Sequence, residues 1–372
     1  MKKLKILQIN AGSQFFGGVS AMVFNLYRQM SDQVVFDFLT PNHTTYAAQK
    51  EEILSRGGRV MEFGINSKNL PGKAKLYFAL KKFLSKHKYD IIHINAGVLL
   101  FNYVVACACR KYSNAKIIVH SHSNGGRSGL KEKLSSPLKH GLSKRADRTI
   151  ACSESAAEYM FDEGRVKKTL ILKNGIDVER FRFNKETREK LRKEKDLDGH
   201  FVIGHIGRFM PEKNHDFLLD VFAECVKKEK NCKLLLAGEG ELLTQIKEKA
   251  VALGLEDKVV FLGPVTNPED WYQTMDVFVL PSHFEGFGIV NIEAQAAGLP
   301  CVTSDAVPSE VDVSGHVEQL PLSAGPEVWS DKILANMDFE RQDGSVLVRD
   351  AGFDIRRSAD ELLKLYRKLA RS

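Results

Sequence analysis

Residues 285–300 read EGFGIVNIEAQAAGLP. Two carboxylates, Glu285 and Glu293, bracket a run of small or flat residues, Gly286, Phe287, Gly288 and Ile289, that should open a helix. Glycine carries no Cβ, so a ligand can approach that backbone closely. The first N–H groups of a helix lack intrahelical partners and carry positive partial charge, which suits a phosphate. Carboxylates accept hydrogen bonds from sugar or ribose hydroxyls. Together these residues read as a pocket for a molecule that is part phosphate and part polyol, such as a nucleotide sugar.

Other groups able to do chemistry also fall at strand ends. Arg208 and Lys213 follow the run FVIGHIG, within GRFMPEKNHDFLL. Alone they would be two exposed bases in a loop; beyond a strand end they can neutralise a diphosphate. Gly17 and Gly18 follow the first strand candidate and open a helix, which fits a plain turn and a phosphate-approach turn equally well. His120 and His122 share one face at a strand end, ahead of Ser123-Asn124-Gly125-Gly126, and His93 ends a neighbouring strand as a weaker candidate. A lone strand-end histidine is more often structural, whereas two before a glycine loop point to function. Gly238-Glu239-Gly240 follows LLLA and reads as a tight turn. Asp196-Leu197-Asp198 has the form of a metal-binding carboxylate pair, yet it sits in a charged connector and reads as solvated; no metal cluster is expected. There is no G-x-G-x-x-G fingerprint with a closing acid, which disfavours a dehydrogenase, and no G-x-S-x-G elbow for a hydrolase.

Positioning such groups requires a framework, and the sequence alternates short β-branched runs with amphipathic stretches. The strand candidates are residues 4–10, 34–40, 90–95, 116–122 and 148–152, separated by helical patterns such as 19–30, 73–87 and 98–112. The alternation pauses at 182–200, RFNKETREKLRKEKDLDGH, and restarts with strands at 201–207, 233–238, 259–263, 277–281 and 300–304. This βαβ order predicts parallel sheets with helices on both faces. Two doubly wound, Rossmann-like α/β domains follow, 1–185 and 186–353, with a final amphipathic helix at 354–372 packing back on the first. Ligands of open α/β sheets bind beyond the carboxyl ends of the strands, so the chemistry is expected there, in a cleft between the two domains.

The chain has 372 residues, a length that favours two cores over one. No run approaches the roughly 18 apolar residues of a membrane span. The opening MKKLKILQIN, broken by Gln8 and Asn10, reads as a strand and not a signal peptide. Six cysteines without C-x-x-C spacing read as reduced thiols of a cytoplasmic protein. Residues 1–198 hold 36 Lys and Arg against 19 Asp and Glu, a net +17, and the remainder 18 against 28, a net −10. That asymmetry points to an anionic partner for the first half. With no aromatic RNA signature and no helix-turn-helix, the partner class is a phosphate-bearing acceptor or an anionic membrane surface, not nucleic acid.

The dispersed segments GRFMPEKN, LLLAGEGEL, VVFLGPVTN and SHFEGFGIVNIEAQAAGLPCVTSDAVPSEV resemble the retaining glycosyltransferases of family 4, which have the GT-B fold of two domains facing across a cleft. Upstream, NAGSQFFGGVSAMVFNL, IIVHSHSN, ACSES and LKNGIDVERF match as well, and Glu285 to Glu293 is that family's E-x7-E spacing. The resemblance implies that Glu293 holds the ribose hydroxyls. It implies that Arg208 and Lys213 clamp the diphosphate with the amides of Phe287, Gly288 and Ile289. Glu285 would touch the donor sugar on the face opposite the acceptor, and backbone around Val265 would meet the base. Gly18, with Gly17, would approach the donor from the first domain, and the active-site histidine would be His122 or His120. Front-face attack is implied, in which the leaving phosphate takes the acceptor proton, Glu285 is a positioning and electrostatic group, and no divalent metal is required.

The stretch GHVEQLPLSAGPEVWSDKILANM resembles enzymes of exopolysaccharide and capsule assembly. That subgroup uses UDP-sugars and lipid-diphosphate acceptors at the inner membrane face, so peripheral membrane contact through the basic first domain is expected. Two rivals remain open on the residues alone. A non-catalytic nucleotide-sugar-binding partner is opposed by the intact set of candidate groups. A sugar epimerase of the same fold would need paired carboxylates at strand ends of the first domain, and none is evident.

Overall fold

The computed structural model describes residues 3–11, 18–43, 45–123 and 129–372. They form two compact units, Met1–Gly175 with Ile355–Ser372, and Ile176–Asp354. The first holds strands β1 (Leu4–Asn10), β2 (Val34–Thr40), β3 (Arg59–Glu62), β4 (Ile91–Asn95), β5 (Lys116–Ser121), β6 (Arg148–Ala151) and β7 (Leu170–Ile171), in the order β3-β2-β1-β4-β5-β6-β7. The second holds β8 (Phe201–Ile206), β9 (Cys232–Ala237), β10 (Val259–Gly263), β11 (Val277–Leu280), β12 (Cys301–Ser304) and β13 (Val317–Leu320), in the order β10-β9-β8-β11-β12-β13. Both sheets are wholly parallel. Strand order reverses between β1 and β4 in one and between β8 and β11 in the other.

Strands buried on both faces read as continuous apolar runs, which is why the inner strands are legible in the sequence. On one face of the first sheet Leu7, Ile9, Ile92, Ile94, Ile117 and Val119 pack under the helices Leu70–Leu84 and Leu99–Tyr112. On the other, Ile6, Ile91, Ile118 and Ile150 meet the helix Gly18–Met30 and the C-terminal helix Ile355–Ala370. Ile355, Ala359, Leu362, Leu363, Tyr366 and Leu369 recur at helical spacing and form one buried stripe of that last helix. The C-terminal helix is thus part of the first unit's core. Edge strands β3, β7 and β13 escaped the sequence reading because RVME, LI and VEQL are too short and mixed to show a pattern.

The division between units falls at 175/176 and not at 185/186. Ile176, Val178 and Phe181 belong to the second unit's core, and the Ile176 amide donates to the Phe353 carbonyl at 2.8 Å. The charged stretch expected as a connector is a helix of that unit, Lys185–Glu194. Arginines anchor it where an apolar stripe is missing. Arg188 donates to the carbonyls of Gln273 and Met275, both at 2.8 Å, and Arg192 to that of Thr274 at 2.8 Å. Both also pair with Asp276, at 2.5 and 3.1 Å. Asp196 and Asp198, just beyond, are exposed.

With the true boundary the charge asymmetry sharpens. The first unit holds 34 Lys and Arg against 14 Asp and Glu, a net +20, and the second 20 against 33, a net −13. No helix among the described residues is long and apolar enough to cross a membrane. The six cysteines are unpaired, and five are buried.

The core role of the C-terminal helix is testable by urea unfolding. Leu362→Ala should cost about 2–5 kcal/mol. Lys364→Ala, on the exposed side, should stay within about 0.5 kcal/mol of the parent. An unchanged midpoint for Leu362→Ala would contradict this placement.

Candidate active site

In the second unit the chain leaves β8 through Gly207 and Arg208, and leaves the neighbouring β11 through Ser282 to Glu285. These exits flank the point where strand order reverses, the usual crevice of an open α/β sheet. The peptide after β8 is pressed onto the Gly238–Gly240 turn. The Phe209 amide donates to the Glu239 carbonyl at 2.9 Å, and the Leu242 amide to the Phe209 carbonyl at 3.0 Å. A Cβ on Gly238 (φ +145) would stand 1.9 Å from the Gly207 carbonyl oxygen, so only glycine permits this approach. The tight turn read from the sequence therefore fixes the backbone that carries Arg208. The Arg208 side chain is exposed and makes no ion pair among the described residues.

Lys213 ends the single turn Pro211–Lys213, after which Asn214, with a left-handed φ of 57°, starts the helix His215–Lys228. Its Nζ lies 2.5 Å from Glu285 Oε1, and Ser282 Oγ donates to the same oxygen at 2.7 Å. Glu285 is 8% exposed, so the ammonium and hydroxyl offset the cost of holding a carboxylate largely out of water. The His283 amide donates to the Glu212 carbonyl at 2.8 Å and ties the two loops together. Lys213 and Glu285, assigned by the resemblance to different parts of a donor, are thus one ion pair.

The next helix runs Ile289–Ala296, with Gly288 at its N-cap in the left-handed region (φ +79) and Phe287 packed on Phe353. Gly286 precedes them in a bend. Glu293 lies within this helix, where Tyr272 donates its hydroxyl to Oε2 at 2.9 Å. Burial pushes the Glu293 carboxyl up to about 7; Glu269 adds to the rise, and the Tyr272 bond, Arg180 and Lys213 oppose it. Val265 is half-buried in the loop after β10. Beside it Arg180 reaches the Thr266 carbonyl at 3.4 Å and pairs with Glu269 at 2.5 Å. Arg180 and Tyr272 were not among the sequence candidates: Arg180 lies inside the matching segment LKNGIDVERF but was given no role there, and Tyr272 stands in no quoted segment.

The first unit gathers its polar groups by register. Asn10, Asn95 and His120 sit side by side on β1, β4 and β5, and Gln8 is paired with His93 two residues earlier. Side chains alternate along a strand, so these groups continue, toward the carboxyl ends, the face that buries Ile6, Ile91 and Ile118. His93 Nδ1 lies 2.6 Å from the Tyr366 hydroxyl, and Gln8 Nε2 donates to that hydroxyl at 3.2 Å. Asn95 Nδ2 donates to Gln8 Oε1 at 2.7 Å, and Asn95 Oδ1 lies 3.2 Å from His122 Nε2. His120 has neither ring nitrogen bonded among the described residues, and its ring centre is 3.9 Å from that of His122. His122 is 8% exposed and His120 is 0% exposed. Burial drives His93 and His122 down to about 3 and His120 well below the usual range, so all three are neutral at pH 7. Gly18 is the exposed first residue of the helix Gly18–Met30; Gly17 lies outside the described residues.

Two family descriptions match the chain, Glycosyltransferase Family 4 over residues 16–180 and Glycosyl transferases group 1 over residues 187–333. EpsF of Bacillus subtilis (strain 168), itself named only provisionally as a glycosyltransferase, is 31% identical over 362 residues, covering 94% of this chain and 93% of its own. The chain belongs to glycosyltransferase family 4. Members of this family retain the anomeric configuration of the transferred sugar. A second family relative, the UDP-Gal:alpha-D-GlcNAc-diphosphoundecaprenol alpha-1,3-galactosyltransferase of Escherichia coli, is 28% identical over 319 residues, 78% of this chain and 79% of its own. Among solved structures, Anabaena HepE in complex with UDP and glucose has a TM-score of 0.76 over 98% of this chain and 100% of its own, at 19% identity. That likeness shows a shared GT-B fold.

For this family 4 chain the sequence motifs located the charged groups beyond β8 and β11. They missed Gln8, Asn95 and Tyr366. The available signal was the polar interruption of otherwise apolar strands, which in β1 served only to argue against a signal peptide.

The raised Glu293 carboxyl has a measurable consequence. The native state holds this proton more tightly than the unfolded chain, so its share of stability is fully present below about pH 4.5 and is lost as pH rises to about 7. Between pH 5 and pH 8, urea unfolding should show the parent losing on the order of 1–3 kcal/mol more stability than Glu293→Gln. Parallel pH dependences would mean that Glu293 ionises as an ordinary carboxylate.

Proposed function

We propose that this glycosyltransferase moves a hexosyl unit from a UDP-sugar to a lipid-diphosphate-linked acceptor in exopolysaccharide or capsule assembly. The observation that carries the reading is the convergence, at the β8/β11 reversal, of the uncommitted Arg208, the Lys213–Glu285 pair and the start of the helix Ile289–Ala296. The acceptor class is supported by the diphosphoundecaprenol named for the E. coli relative and by the net +20 of the first unit. The same charge supports peripheral binding at the inner face of a cell membrane.

Breaking the sugar C1–phosphate bond leaves UDP with growing negative charge while C1 becomes cationic. Arg208, Lys213 and the amides of Phe287, Gly288 and Ile289 stabilise the leaving diphosphate as that charge develops. These groups supply the charge compensation, so the proposal requires no metal. Glu285, held by Lys213 and Ser282, stabilises the cationic sugar. In a front-face reaction the acceptor oxygen bonds to C1, and its proton passes to the leaving phosphate, which leaves Glu285 without a covalent role. As a carboxylate, Glu293 accepts from the ribose hydroxyls, and backbone at Val265 meets the base. Gly18 gives the donor a close approach to backbone. His122, 8% exposed and engaged in a polar network, is assigned as the active-site histidine in preference to His120, which is 0% exposed and has neither ring nitrogen bonded among the described residues.

Three measurements test this. UDP- and GDP-sugars are screened for protection against thermal unfolding, where a true donor raises the melting point by mass action. No response to any nucleotide sugar would sink the proposal. Because Arg208 is exposed and makes no ion pair among the described residues, Arg208→Ala should leave stability unchanged while lowering kcat/KM for UDP release about 100-fold. Loss of both would make Arg208 a structural residue. Binding to vesicles containing anionic lipid should weaken as ionic strength rises past the point where the Debye length falls to about 8 Å, and neutral vesicles should bind weakly throughout.

A further inference from the structure

Asn95 is the pivot of the buried network in the first unit. Its Nδ2 faces Gln8 Oε1 at 2.7 Å and its Oδ1 faces His122 Nε2 at 3.2 Å. Exchanging oxygen and nitrogen in the amides of both Asn95 and Gln8 would give an equally complete chain of the opposite sense, with the His122 proton on Nδ1. The main chain breaks this symmetry. Asn95 Nδ2 also stands 3.4 Å from the His93 carbonyl oxygen, and an exchanged amide would set two acceptor oxygens against each other there. Asn95 therefore turns its NH2 toward Gln8. Gln8 must then turn its own NH2 to the Tyr366 oxygen at 3.2 Å, and the Tyr366 proton goes to His93 Nδ1 at 2.6 Å. What remains for His122 Nε2 is an acceptor.

We infer that a one-way relay from the C-terminal helix through Tyr366, Gln8 and Asn95 holds His122 as its Nε2–H tautomer and turns the Nδ1 lone pair toward a hydroxyl of the bound sugar. The inference rests on the reading of His122 as the active-site histidine. His122 Nδ1 is buried and has no partner among the described residues, which is the state of an acceptor awaiting a donor. Which ring nitrogen of a histidine is protonated is set by the bond the other makes. The four bonds share one sense, so each polarises the next. Asn95, Gln8 and Tyr366 act through His122 and are positioning residues. The titratable groups packed around it are His120 and His93, with Tyr366 beyond; burial keeps the histidines neutral and Tyr366 protonated. No carboxylate or ammonium group among the described residues acts on His122.

Nitrogen-15 NMR of histidine-labelled, full-length protein reads the tautomer directly. The expected spectrum has the His122 proton on Nε2; a proton on Nδ1 would overturn the relay. Asn95→Leu should mix the two tautomers and lower kcat about tenfold with little change in KM. Asn95→Asp should keep the Nε2–H form and restore kcat to within about threefold at pH 9. Its carboxylate favours the imidazolium, so activity should fall on an acid limb absent from the parent. A pH profile of Asn95→Asp that superposes on the parent's would refute the relay. If the Asn95 variants fail to fold, the parent spectrum and Tyr366→Phe, which should perturb the His122 signals from three hydrogen bonds away, still decide. Full activity of His122→Ala would overturn the active-site reading alone, since the tautomer is measured without turnover.

Discussion

Burying a polar group without a partner costs free energy on the scale of the protein's whole stability, and this constraint organises both units. Parallel strands buried on both faces leave almost no room for polar side chains except at their carboxyl ends. Several of those that occur there are bonded in sets, while His120, with neither ring nitrogen bonded among the described residues, is an exception. Lys213, Ser282 and Glu285 form one set, Tyr272 with Glu293 a second, and Gln8, His93, Asn95, His122 and Tyr366 a third. Because each set draws on several strands and helices, the fold holds the site and the site constrains the fold.

The units solve this problem with different electrostatics. In the second, the groups at the strand ends are formally charged, and a base is left over in Arg208. In the first, burial keeps every histidine of the network neutral. This division suits a reaction in which a diphosphate accumulates charge on departure while sugar hydroxyls only exchange hydrogen bonds. Under the proposed function, preorganised charges would stabilise the former, and a fixed neutral acceptor would orient the latter without demanding a counter-ion. The net +20 and −13 of the two units would add a longer-range field that favours anionic partners at the first.

Much of this was legible in the sequence for identifiable reasons. Inner strands announce themselves because burial on both faces forces apolar runs such as VFVL at 277–280. Gly238 and Gly288 announce turns because their positive φ excludes other residues. Arg208, Lys213, Glu285 and Glu293 carry charge at strand ends, where charge is informative. The edge strands were hidden by their brevity. The helix Lys185–Glu194 was hidden because arginine bonds to Asp276 and to carbonyls replace the stripe that periodicity detects. Tyr366 was hidden because its sequence separation from Gln8 is nearly the length of the chain.

The sequence by itself determined the α/β class, the placement of the charged groups beyond their strands and the family, since these depend on local pattern and on spacing within short segments. Only the tertiary structure decided that Lys213 pairs with Glu285, that Glu293 holds its proton to about pH 7, and that His122, not His120, is tied into the relay from the C-terminal helix. Each of those is a matter of desolvation and of contacts across strands or across the whole chain. No local pattern encodes how far a carboxylate has been taken out of water, or which of two adjacent imidazoles finds an amide oxygen.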